Sequence, residues 1–286
     1  MKRNIESVVI LANSTKAKVY EVLEHLKAYF ASMNIGVSVV MLSSSVEDLS
    51  LCVPACDLAI SLGGDGTVLT SVAILKKHKV PILAVNLGTF GYITDTPLSD
   101  VERVFEEYLN GQTGTNSRMM LDTIVQRQGN VVFEASSLND VTVSASAKAK
   151  MAKISMYVNG VHGASLRSDG LILATPTGST AYSLAAGGPI LDDSLDAIII
   201  NPICPFAMSV RPIVVNSGSE ITLKIPRQST DVSLTCDGHE AFALKEGDVV
   251  TVKQSLDRAV FVTNSGKKFI EVLRDKLGCG HCEAES

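Results

Sequence analysis

The feature that most constrains this chain is a change of rhythm near residue 111. Before it, strand and helix patterns alternate. Residues 5–12, 36–42, 57–62 and 80–86 read as strands, with 57–62 apolar enough to be buried on both faces. Between them, residues 15–32 repeat apolar side chains at helical spacing through Val19, Val22, Leu23, Leu26 and Phe30. A second helix is expected through Val68, Leu69, Val72 and Leu75, and a third near 99–110. Such alternation predicts a mostly parallel sheet covered by helices. After Gly111 come short alternating segments joined by polar turns, among them Gln128-Gly129-Asn130 and Asn159-Gly160. The expected fold is therefore an α/β N-terminal domain over 1–117 followed by an all-β, sandwich-like C-terminal domain over 118–265. A last helix, with Phe269, Val272, Leu273 and Leu277 on one face, is expected to pack back on the first domain as part of 266–286.

Composition narrows the function classes. The 286 residues are 46% hydrophobic and 19% charged, a globular balance, and no run approaches the roughly 18 apolar residues of a membrane span. The N-terminal apolar stretch is too short for a secretory signal and is interrupted by Asn4 and Glu6. A formal net charge of −5 argues against a partner built on a phosphate backbone, so neither nucleic acid nor membrane is expected. Six cysteines spread over a chain without an export signal imply reduced thiols and a cytoplasmic protein.

The chemistry concentrates at Gly63-Gly64-Asp65-Gly66-Thr67, where a buried strand hands over to a helix. Ligands of open α/β sheets bind at the carboxyl ends of strands, and glycines there let backbone N–H groups approach a phosphate. No Gly-Lys-Ser/Thr follows, and the GxGxxG spacing is absent, so neither common phosphate loop applies. Asp65 carries the information. A carboxylate beside a phosphate is repelled unless it binds an accompanying metal or accepts a proton from an attacking hydroxyl, and both roles belong to phosphoryl transfer. The plain alternative is a strand-to-helix turn with an aspartate near the N-cap. A second glycine-bearing loop, Asn86-Leu87-Gly88-Thr89-Phe90-Gly91-Tyr92, ends the next strand, and Tyr92 offers a ring that stacks on a base or simply packs. Further on, Ser168-Asp169-Gly170 precedes a strand, the hydroxyl-rich run Thr177 to Tyr182 supplies donors and acceptors suited to ribose and adenine, and Gly187-Gly188-Pro189 fixes the exit. By itself such a run of small residues also reads as a plain loop.

Taken in order, Gly63-Gly64-Asp65-Gly66, Asn139-Asp140 and TPTGSTAYSLAAGGPI (175–190) resemble the hallmarks of the NAD kinase family, as do residues 86–92 and the proline-rich 201–215. The glycine-aspartate loop alone is shared with lipid kinases and phosphofructokinases; the long second-half segment is what makes the resemblance specific. It implies transfer of the γ-phosphate of ATP to the adenosine 2′-hydroxyl of NAD, with Mg2+ as the accompanying divalent metal and no firm protein ligand for it. Asp65 then takes the hydroxyl proton, with Gly66 beside it and Gly63, Gly64 and Thr67 forming the phosphate loop. Asn139 and Asp140 contact the dinucleotide's polar groups, and Thr180, Ala181, Tyr182, Ser183, Leu184 and Ala185 form the adenine and ribose stretch. Ala185 departs from the serine common in the family. Asp169 resembles a residue that reaches NAD across a subunit interface, which implies a homotetramer or homodimer. Arg167 stands where an arginine goes with nucleoside triphosphate donors and a small residue with polyphosphate, while Lys150 and His239 fall at further ligand-contacting positions. The active site is expected between the two domains.

Other signals carry less. Cys279-Gly280-His281-Cys282 has redox-dithiol spacing, yet it follows a helix and offers fewer ligands than a closed zinc site, so it reads as inert. Cys52 and Cys56 read as ordinary loop or core thiols, and His25 and His78 as surface residues on helices.

Overall fold

The structure is a computed structural model that describes residues 2–14, 19–42, 46–88, 91–146, 150–227, 230–239, 241–264 and 269–277. Residues 15–18, 89–90, 265–268 and the CGHC segment, all assigned above, lie outside the described residues. The chain divides into two compact units, Met1–Ser117 with Ala259–Ser286, and Arg118–Arg258.

The first unit contains β1 (Ser7–Ala12), α1 (Val19–Ser32), β2 (Gly36–Met41), α2 (Val46–Cys52), β3 (Leu58–Gly63), α3 (Asp65–Leu75), β4 (Ile82–Asn86), β5 (Thr96–Pro97) and α4 (Val101–Leu109). Its strands run parallel in the order β4-β3-β1-β2, with β5 beside β4. The periodic residues of α1 are the ones it buries: Val19, Val22, Leu23, Leu26 and Phe30. Phe30 meets Phe105 of α4 edge to face, centroids 4.9 Å apart, and both helices close over Ile10, Ile60 and Leu83 of the sheet. Every residue of β3 is buried, as its unbroken apolar run demanded.

Two local expectations need correcting. Cys52 ends a seven-residue helix, α2, which packs on α3. A helix of two turns is too short for its periodicity to stand out. His78 is not helical: α3 ends at Leu75, and the His78 N–H closes a turn on the Leu75 carbonyl before Lys79 enters the left-handed region at φ 53°. His25 is on α1, exposed and 2.7 Å from Glu102.

The second unit is built from β6 (Thr115–Arg127), β7 (Asn130–Ser137), β8 (Asp140–Ala145), β9 (Ala152–Val158), β10 (Val161–Ser168), β11 (Gly170–Ala174), a 3₁₀ turn (Thr177–Thr180), α5 (Tyr182–Ala185), β12 (Ala197–Ile203), β13 (Ile213–Asn216), β14 (Ile221–Lys224), β15 (Val232–Cys236), β16 (Phe242–Leu244) and β17 (Val249–Val262); β6 begins and β17 ends in the first unit, where α6 (Phe269–Leu277) follows. One antiparallel sheet has the order β13-β12-β11-β8-β15-β16. Facing it are β10-β9-β14-β17 and the β6-β7 hairpin. The core between them takes Val143, Leu171, Leu173 and Leu234 from the first sheet and Leu121, Ile154, Leu223 and Val250 from the second. Both polar turns read from the sequence are hairpin turns with two left-handed residues. Gln128 and Gly129 have φ 53° and 82° between β6 and β7, and Asn159 and Gly160 have φ 50° and 77° between β9 and β10.

Candidate active site

In the first unit, α3 begins immediately after β3, and its N-cap is Gly64 rather than the aspartate. The Thr67 hydroxyl accepts the Gly64 N–H at 3.3 Å, and a Cβ on Gly63 would lie 2.1 Å from that same oxygen. Gly63 and Thr67 thus lock the turn from inside, and Thr67 is buried. Gly64 and Gly66 differ. Neither has a left-handed φ, and a Cβ on either would meet nothing within 4 Å among the described residues. The protein's own packing does not call for glycine there, whereas close approach of a ligand to the backbone would.

Asp65 does not cap its own helix. Its carboxylate reaches the turn after β4, where Oδ2 accepts the Tyr92 N–H at 2.7 Å and Oδ1 accepts the N–H groups of Ile93 (3.2 Å) and Thr94 (3.0 Å) and the Thr94 hydroxyl (2.9 Å). The fit is close enough that a Cβ on Gly91 would fall 1.8 Å from Oδ1. Asn86 secures the same turn, its Nδ2 donating to Thr94 Oγ1 at 3.0 Å and its Oδ1 accepting the Gly88 N–H at 2.6 Å. Tyr92 is therefore brought to Asp65 by its backbone. A carboxylate offers about four lone-pair sites. Oδ1 carries three bonds and Oδ2 one, so Oδ2 is the oxygen with room for a further donor.

In the second unit, Asn139 immediately precedes β8 and Asp140 opens it, and both are 7% exposed. Asn139 Oδ1 is buried and has no hydrogen-bond partner among the described residues. Asp140 is pushed up to about 6, first by burial and then by the charge of Asp237, against the Thr142 hydroxyl, which donates to it at 3.1 Å. Sequence reading passed over Asp237. It sits with Gly238 in a turn where both have positive φ, 52° and 71°, and the His239 N–H closes that turn on the Cys236 carbonyl at 3.0 Å. The Asp-Gly pair after an alternating strand was the available signal. Burial raises the Asp237 carboxyl, while the three N–H groups it accepts, from Leu138, Asn139 and Asp140, hold it down.

The segment after β11 packs against this pair. A Cβ on Gly178 would lie 2.1 Å from the Asn139 carbonyl oxygen, which explains glycine in that run. Within Thr180 to Ala185 the residues have different settings. Tyr182 is 48% exposed, whereas Ser183 is fully buried and its carbonyl and hydroxyl both accept from Asn201 Nδ2. The Ser183 hydroxyl is thus turned toward Asn201. Arg167 lies on β10 with its guanidinium 5.2 Å from the ring centroid of the exposed Phe206. Asp169 is exposed, its backbone bonded to Ile203 and Ala145. Lys150 is exposed and His239 half-buried.

Residues 8–113 match the model of the ATP-NAD kinase N-terminal domain, and residues 138–264 that of the ATP-NAD kinase C-terminal domain. The NAD kinase of Geobacter metallireducens is 38% identical over 255 residues, covering 89% of this chain and 87% of that protein. The NAD kinase of Acidobacterium capsulatum is 36% identical over 280 residues, 96% of this chain and 98% of that protein. Among solved structures, yeast NADH kinase complexed with NADH matches with a TM-score of 0.88 at 24% identity, over 99% of this chain and 91% of that one. An NAD kinase from Archaeoglobus fulgidus in complex with ATP matches with a TM-score of 0.75 at 24% identity, over 95% and 97%. The structural matches carry the fold, an α/β unit with a mostly parallel sheet and an antiparallel β unit. The sequence matches carry more: this chain belongs to the ATP-NAD kinase family.

Proposed function

We propose that this chain is an NAD kinase, transferring the γ-phosphate of ATP to the adenosine 2′-hydroxyl of NAD and releasing ADP and NADP. Family membership over nearly the whole chain supports the activity, and the setting of Asp65 supports the assignment of its chemistry. Its carboxylate is anchored by the turn at 92–94 and retains acceptor capacity on Oδ2, where the 2′-hydroxyl proton would go as the oxygen attacks phosphorus. Gly64 and Gly66 leave the backbone at the start of α3 open to phosphate oxygens, and the helix N-terminus adds favourable partial charge.

Asn139 and Asp140 recognise the dinucleotide's hydroxyls, the first through its unpartnered oxygen. Tyr182 is exposed enough to meet the adenine and ribose, along with the backbone of 180–185, and Lys150, Arg167 and His239 are assigned supporting ligand contacts. No group of three or more potential metal ligands occurs among the described residues. The divalent ion is assigned as Mg2+ carried in on the ATP phosphates, since magnesium is bound more often by phosphates and water than by an all-protein cage. Asp169 is assigned to the partner subunit's NAD in a homodimer or homotetramer. None of the described helices is long and apolar enough to cross a membrane, and Cys52, Cys56, Cys204 and Cys236 are unpaired, in keeping with a reducing cytoplasm.

The deciding assay incubates the protein with Mg-ATP and NAD and reads NADP with an NADP-specific dehydrogenase. NADP formation supports the proposal. NAD binding without turnover would make the protein a dinucleotide sensor, and turnover of an acyl-glycerol, sphingoid base or sugar phosphate instead would make it another kind of kinase.

A further inference from the structure

The main chain of residues 138–140 is held by two residues from outside it, through their side chains and their N–H groups. The N–H groups of Leu138, Asn139 and Asp140 all donate to the Asp237 carboxylate, at 2.7, 2.7 and 3.0 Å. The carbonyls are taken in turn: Leu138 by the Thr175 hydroxyl at 2.6 Å, Asn139 by the Thr175 N–H at 2.9 Å, and Asp140 by the Asp237 N–H at 2.9 Å. Asp237 and Thr175 thus satisfy all six backbone polar groups of the segment that presents Asn139 and Asp140. Few residues could stand at 237. The position needs a left-handed backbone, which aspartate and asparagine tolerate, and two acceptor oxygens facing three donors.

We infer that Asp237 is a positioning residue for NAD: its carboxylate fixes where the Asn139 oxygen and the Asp140 carboxyl point, without itself meeting the reacting atoms. This rests on the NAD kinase reading of the site. Asn139 Oδ1 has no side-chain or backbone partner among the described residues, so within them it is the backbone beneath it that sets where it points. A misplacement on the order of 1 Å at a positioning group can cost ~10²-fold in activity.

The test uses the full-length protein with Asp237→Asn and Asp237→Ala. Asparagine keeps Oδ1 for Asn139 and Asp140 but turns an amide toward the Leu138 N–H; alanine removes all three bonds. The expected result is a KM for NAD raised about tenfold in Asp237→Asn and further in Asp237→Ala, with the KM for ATP within about twofold of wild type. A second readout does not depend on how well alanine folds. Asp140 is raised by burial, by the Asp237 charge and against the Thr142 hydroxyl, so removing that charge in Asp237→Asn moves the acidic limb of kcat/KM for NAD to lower pH. An unmoved limb, an unchanged KM for NAD, or equal rises in both KM values from a generally loosened protein would each overturn the inference. Wild-type turnover of NAD is read first, so failure of the functional reading is seen before any variant is compared.

Discussion

Asp65 accepts the successive N–H groups of Tyr92, Ile93 and Thr94, and Asp237 accepts those of Leu138, Asn139 and Asp140. In both units an aspartate brought in from a distant element gathers three consecutive amides and shapes a loop. Their surroundings part them. Asp65 is half-buried at the start of α3, in a turn with two glycines that no packing requires. Asp237 is half-buried too, but its carboxyl stands beside a second one, Asp140, and burial raises both. On the proposed reading, the same bonding pattern leaves Asp65 an open oxygen for a ligand's proton and sets Asp237 to holding its neighbours. What an aspartate does is set less by its hydrogen bonds than by what lies on its open side.

Substitutions can break that contrast. The largest effect is expected from Asp65→Asn, which removes the proposed proton acceptor: kcat should fall about 10³-fold while NAD still binds, measured by steady-state kinetics and by calorimetric titration. Near-wild-type turnover would make Asp65 a loop anchor of the Asp237 kind and erase the distinction. Next comes Gly91→Ala, whose methyl would stand 1.8 Å from Oδ1 and displace the carboxylate without altering its chemistry. A loss of ~10²-fold in kcat is expected, with the KM for NAD little changed. Gly178→Ala is the counterpart in the second unit. Its methyl would press on the Asn139 carbonyl, so the KM for NAD should rise about tenfold and stability should fall by about 1–3 kcal/mol in thermal or urea unfolding.

The smallest effect separates the two regions by pH. The Asp140 carboxyl is raised from 3.8 to about 6, so its protonated form favours the folded state. That contribution is fully present below the unfolded value and is lost as pH rises through about 6. Asp140→Asn keeps an uncharged group at all pH values. Its Tm should exceed wild type by a few degrees at pH 7.5 and approach it near pH 4, while NAD binding weakens. A Tm difference that did not depend on pH would show that the Asp140 charge is not what the fold resists.

Much of this was legible in the chain itself. The α1 face from Val19 to Phe30 buried as its spacing foretold, because a helix of four turns repeats its pattern often enough to be seen. The turns at 128–129 and 159–160 were legible because left-handed residues leave an Asn-Gly or Gln-Gly trace. The resemblance pointed to the family, and the family comparisons agree with it. What stayed hidden was partnership. Asp237 binds residues 97 to 99 positions earlier, and Asp65 binds residues 27 to 29 positions later. No local pattern encodes such pairings. Ser183 shows the converse: it belongs to a hydroxyl-rich run, yet its own hydroxyl turns inward to Asn201.

The buried oxygen of Asn139 has a consequence for selectivity. On the proposed reading, a buried acceptor with no donor among the described residues lets a site discriminate by penalty. A ligand bringing a hydroxyl or N–H to that point relieves an existing cost. An analogue lacking the donor seals the oxygen in unpaired, and sites of this construction reject such analogues far more strongly than an apolar wall rejects a missing methylene.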